Sequence, residues 1–160
     1  MQETLLNPPF AKDPPYKFNV SAKTLGLICA ILGAIGAVFG LFAMFGLLGL
    51  SALVGGFAGI FALAIIGLIV SEIGMILGGW GGYQMYQGNR DGKRLVIYGL
   101  VVYVIANLFG ALGGAGSFIG WLFLTAIAFA VYYLVIISRF PGESPLVAEG
   151  TGPGPGPTSP

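Results

Sequence analysis

Between Thr24 and Ser71 the chain carries no Asp, Glu, Lys or Arg. A helix needs about 20 apolar residues to cross the hydrocarbon core of a bilayer. This run is too long for one crossing and ample for two with a turn between them. The whole chain is 56% hydrophobic and 8% charged, whereas a soluble domain has roughly a quarter charged residues. With a mean hydropathy of +0.91, such a chain could not cover a water-facing surface with polar groups. Lipid is the predicted solvent.

All ten prolines lie at or before Pro15 or at or after Pro141. Proline removes a backbone donor and breaks helices, so the proline-free middle reads as helix and the ends as irregular. Glycine and serine cluster in GLLGLSALVGG, residues 46–56, and place a turn there. QGNRDGKR, residues 87–94, is the strongly charged internal segment, and GGAGS at 113–117 is a short uncharged loop. These breaks predict four transmembrane helices at 24–45, 57–83, 95–112 and 118–138, an all-α, polytopic up-down bundle. Residues 1–23 form a Pro-rich leader. Its first apolar segment has full spanning length, which predicts a retained anchor and not a cleaved signal. Residues 139–160, rich in Gly and Pro, predict a disordered tail.

Of the seven basic residues, Lys12, Lys17 and Lys23 precede helix 1, Arg90, Lys93 and Arg94 separate helices 2 and 3, and Arg139 follows helix 4. Four crossings put all of them on one side. By the positive-inside rule that side is cytoplasmic, with both termini, in a bacterial inner membrane or a plasma membrane. Trp80 and Tyr83 are expected as anchors at the inner interface, and Trp121 at the outer one.

A net charge of +1 gives no field for nucleic acid. Histidine is absent, which removes the commonest metal ligand and the usual general base. The single Cys29 forms neither an internal disulfide nor a zinc cluster; it reads as a packing residue, with palmitoylation as the alternative. No nucleophile or phosphate-loop motif occurs. The expectation is a non-enzymatic protein without metal or cofactor. Asp91 with Arg90 and Lys93 reads as a solvated turn, or as a contact for lipid phosphates.

Lipid gives helices no hydrophobic reason to meet, so association rests on close packing of small residues. Gly67, Ser71, Gly74, Gly78 and Gly82 recur at steps of three or four and predict one tight seam along helix 2.

Glu72 falls near the middle of the same helix. A carboxylate at that depth costs several kcal/mol; one escape is to keep its proton and donate a hydrogen bond. By depth, Tyr132 and Tyr133 of helix 4 and Tyr98 of helix 3 are its expected partners in an intramembrane polar cluster. Three roles stay open: an interhelical hydrogen-bonding strut, an ion or proton site of a channel or transporter, or a snorkelling side chain near a short helix end.

The segments IYGLVV (97–102) and SEIGMILGG (71–79) resemble the proteolipids of rotary ATPases, small glycine-rich hairpins with a carboxylate in mid-membrane. Those proteins have a polar loop inside each hairpin. Here the first hairpin turn is uncharged, the polar loop joins helices 2 and 3, and the dense alternate-glycine pattern is missing. That family's function is therefore not carried over.

The expected role is that of an accessory or scaffold component of a membrane assembly, working through helix packing on other membrane proteins or on copies of itself. The alternatives are a small channel or transporter with Glu72 as its sensitive group, and an adaptor that binds partners through NPPFAKDPPYKF near the N-terminus.

Overall fold

A computed structural model describes residues 5–6, 8–11, 14–16, 18–53, 58–112 and 117–141. A 3-10 turn at Pro9–Ala11 precedes four helices: α1 (Ala22–Leu53), α2 (Ala58–Gln87), α3 (Asp91–Leu112) and α4 (Phe118–Ile137). All four are long and apolar enough to cross a membrane, with spans of 28, 26, 22 and 20 residues. Large hydrophobic side chains cover their outer surfaces, Phe39, Phe42, Ile119 and Phe129 among them. Four such helices packed on one another describe an integral membrane protein.

α1 continues past the expected end at 45 to Leu53, so most of the glycine-rich turn expected at 46–56 is helical. Glycine weakens a helix in water because the backbone has water as an alternative partner. Hydrocarbon offers none, so the helix persists until the chain leaves it. The expected turn residues 54–57, the loop residues 113–116 and the tail beyond Pro141 lie outside the described residues. α3 starts at Asp91 and not at 95. Gly88, at φ +92°, is the one positive-φ residue among those described. It closes the turn with Gly88 N donating to Met85 O at 3.0 Å and Asn89 N to Gln84 O at 2.9 Å. Asn89 Oδ1 then accepts from Asp91 N at 2.9 Å, an Asx turn that opens the helix. Lys93 and Arg94 are thereby helical, on stems long enough to reach an interface.

The seam on α2 is two seams. Gly82, Gly79, Met75 and Glu72 face Gly26, Gly33, Gly36 and Gly40 of α1. Gly81, Gly78, Gly74 and Gly67 face α3 at Gly92, Gly99, Tyr103 and Ala106. In both pairs residue numbers rise along one helix as they fall along the other. At 100° per residue the two contact faces lie roughly 110° apart. The expected row from Gly67 to Gly82 takes Gly67, Gly74 and Gly78 from the α3 face and Gly82 from the α1 face, and its mean direction lies about 30° from the former and about 80° from the latter. A Cβ on Gly82 would stand 2.6 Å from Ala30 N, and one on Gly74 2.8 Å from Tyr103 N. Approaches this close require glycine. Gly78 differs: a Cβ there meets nothing within 4 Å, although one on Gly99 would lie 2.5 Å from Gly78 N. Gly78 is approached by its partner, but its own missing side chain points into the crevice between the seams.

The large buried side chains gather at one end, while the small Ala64, Ala106 and Ala128 are buried farther along the bundle. Ala22 and Leu25 of α1, Met85 of α2, Val96 and Ile97 of α3, Val135 of α4 and Phe140 beyond it form a single cluster. Strand-like bonds pin the chain entering α1 to the chain leaving α4: Ala22 N donates to Arg139 O at 2.8 Å, and Arg139 N to Val20 O at 3.0 Å. Lys93 Nζ donates to Ser138 O and stands 5.4 Å from the centre of the Phe140 ring. The described basic residues therefore gather at this end. α4 leans mainly on α3.

These contacts separate two glycines that look alike in sequence. Gly99→Leu should lower thermal stability in detergent by about 1–3 kcal/mol or abolish folding, as overpacking does. Gly78→Leu should unfold within a few degrees of wild type in a fluorescence melt. Equal losses in the two variants would show that the seams are misplaced.

Candidate functional site

Glu72 turns toward α1. Its carboxyl group occupies the space where a side chain on Gly40 would begin, with Oε2 3.2 Å from that Cβ position. The residue is 9% exposed, and Oε2 is buried with no hydrogen-bond partner among the described residues. A buried polar atom without a partner is rare and forgoes about 1–3 kcal/mol. α2 sets this placement. Glu72 lies on the α1-facing side with Met75, Gly79 and Gly82, and a glycine opposite provides the room.

The tyrosines expected beside it are elsewhere. Tyr132 Oη donates to Leu5 O at 2.6 Å. Tyr133 Oη donates to Tyr16 O at 2.8 Å and accepts from Tyr16 N at 3.1 Å. Phe10 lies against both rings, with centroids 6.1 Å from Tyr132 and 5.5 Å from Tyr133. The described part of the Pro-rich leader thus lies on α4, held by the backbone of Leu5 and Tyr16 and the ring of Phe10, with Leu6 packed on the core cluster. Tyr98 is half-buried on α3, and α3 packs the face of α2 that Glu72 turns away from. The structure does not bring Glu72, Tyr98, Tyr132 and Tyr133 together. Neither the register of α4 against α2 nor the rotation of each helix is readable in the sequence: Ser71 shares a cavity wall with Trp121 and Leu124, about two to three turns along α4 from Tyr132.

Ser71 and Gly67 meet on the wall of a cavity of about 390 Å³ lined by all four helices. Ala43 of α1, Ala64 of α2, Asn107 and Gly110 of α3 and Trp121 of α4 also line it. Its polar groups have bonds nearby. Ser71 Oγ donates to Leu68 O at 2.8 Å, and Asn107 Nδ2 to Tyr103 O at 2.8 Å. Trp121 Nε1 donates to Val104 O at 3.0 Å. Trp121, expected as an outer anchor, is half-buried and ties α4 to α3. Trp80 and Tyr83 are exposed and in contact, with ring centroids 5.7 Å apart. The cavity was not foreseen; a polar pair at Ser71 and Asn107 within apolar helices was its sequence signal. Cys29 is half-buried and packs its Cβ beside Gly82.

No family model, no curated protein and no solved structure matches the chain.

The Glu72–Gly40 contact makes a steric prediction. Gly40→Val should destabilise the protein by roughly 1–3 kcal/mol, because the new side chain needs the carboxyl's place. Adding Glu72→Ala should restore much of the loss in a double-mutant cycle read by thermal melts. Simple additivity of the two changes would place Glu72 elsewhere.

Proposed function

We propose that this is an up-down four-helix membrane protein that catalyses no reaction and serves as an accessory or scaffold component of a membrane assembly. Its basic end and both termini lie at the cytoplasmic face of a bacterial inner or plasma membrane. The observation that carries the reading is the outer face of α1. Phe39, Phe42 and Phe45 are 70%, 71% and 67% exposed. Beside them Gly46 and Gly49 are exposed, and a Cβ on either meets nothing within 4 Å. Glycines that pack against none of the described residues leave a groove beside an aromatic ridge, the relief against which another helix packs closely. Partner helices, from another protein or a second copy, are the expected ligands of this face.

The double variant Gly46→Leu/Gly49→Leu fills the groove without an internal clash. It should keep the wild-type melting temperature and lose the larger assembly, measured by crosslinking in native membranes and by native mass in mild detergent. Identical assembly sizes for wild type and variant would sink the reading.

A second reading is favoured by the unpartnered Oε2 of Glu72. An ionisable group inside a membrane is a functional candidate by default. A lone carboxyl falls far short of the 6–8 oxygens that a cation such as calcium gathers, so a proton is the fitting ion. Glu72→Gln keeps the shape and cannot titrate. If Glu72 carries protons, the variant should assemble normally and lose at least tenfold in proton flux into reconstituted vesicles. Equal flux from wild type and variant would end this reading.

A further inference from the structure

We infer that the cavity between the four helices holds one acyl chain of a bilayer phospholipid. The inference rests on the membrane-spanning reading above and adds an occupied lipid site to it. The cavity belongs to the end opposite the core. α1 and α4 are tied together at the basic end through Ser21 and Arg139, whereas Ala43 and Leu47 of α1 face Gly120 and Trp121 of α4 across about 390 Å³ of space. All four of these residues lie within the candidate spans, and of the lining residues only Ser117 lies outside them, so the cavity runs from the end of the bundle into the apolar spans.

Its walls select the occupant by chemistry. The side-chain donors of Ser71, Asn107 and Trp121 are already bonded to carbonyls of their own or the adjacent helix. Water needs 2–4 polar partners to settle in a cavity; these three donors are engaged, and the hydroxyl of Ser117, which also lines the wall, accepts from Gly120 N at 3.1 Å. A polar solute meets the same difficulty. A partner helix, at about 10 Å across with its side chains, is too thick for the space. Left empty, the wall would forgo dispersion contacts along its whole length. A hydrocarbon chain fills the space without competing for these bonds, and the surrounding bilayer supplies it at high concentration. The small residues Ala43, Ala64, Gly67 and Gly110 then have a purpose on the cavity side: they give the chain width.

Trp121 reports on the site from its wall. In a Trp80→Phe background, vesicles of phosphatidylcholine brominated at mid-chain should quench Trp121 fluorescence strongly against unbrominated vesicles. Gly110→Leu and, separately, Gly120→Leu place side chains into the cavity, and neither Cβ meets a neighbour closer than 3.8 Å. Each should cut the quenching at least twofold while the melting temperature holds or rises. Quenching unchanged by both variants would mean that the lipid reaches Trp121 from outside, and it would overturn the proposal. So would absence of quenching in the parent. The complementary Trp121→Phe protein separates the two levels of the argument. If Trp80 is quenched by lipid brominated near the headgroup, the membrane reading stands even where the cavity proposal falls; if Trp80 is silent too, the membrane reading falls first.

Discussion

Hydrocarbon cannot hydrogen-bond a peptide group, and the rest of this structure follows from that. Every backbone donor inside the bilayer has to be met within its own helix, which keeps α1 helical through Gly46 and Gly49 to Leu53. The same solvent removes the hydrophobic reason for helices to associate, so contact has to come from backbone proximity. α2 answers with glycines on two faces and becomes the central helix, held by α1 on one side and α3 on the other. Close backbone approach is unforgiving of added atoms: a Cβ at Gly26, Gly81 or Gly92 would fall within 2.6 Å of a neighbour.

This packing is distributed unevenly along the bundle. At the basic end side chains from every helix meet in one cluster, and Ser21 bridges to Arg139. The Pro-rich leader adds a second tie between the first and last helices. Tyr133 clamps it by holding both the N–H and the carbonyl of Tyr16, which reads backbone and not side-chain identity. Toward the other end α1 and α4 face one another across the cavity. Local opening follows local contact, so the end with the cavity is the one where the bundle can breathe without disturbing its core.

The sequence carried the helix number and the gathering of charge, because both follow from one-dimensional quantities: the length of apolar runs and the positions of Lys and Arg. Rotation about each helix axis was illegible. The glycine row of α2 advances by threes and fours and mixes members of both faces, Gly67, Gly74 and Gly78 toward α3 and Gly82 toward α1, so the sequence pattern shows one face where two exist. Tyr132 and Tyr133 are expected at the depth of Glu72, yet the cavity sets its neighbour Ser71 level with Trp121 and Leu124, and the tyrosine hydroxyls bond to Leu5 and Tyr16 near the basic end. No periodicity announces a bond between residues so distant in the chain. Gly40 reads in the sequence only as a small residue for packing on helix 1; its role opposite Glu72 appears once the carboxyl is seen to fill its missing side chain.

The Glu72–Gly40 contact bears on both functional readings. A strut would need a partner for each polar atom, as Ser71 beside it has in Leu68 O. Glu72 has room but leaves Oε2 unsatisfied, an arrangement that suits a group whose partner is not a fixed part of the protein. The notch lies on the inner side of α1, and the Phe39–Phe42 ridge lies on the outer side of the same turn. A helix seated on that ridge would press on the segment of α1 that holds the carboxyl in place. The proposed partner face and the Glu72 carboxyl would then share one mechanical element, so the test of assembly and the test of proton flux bear on the same turn of α1.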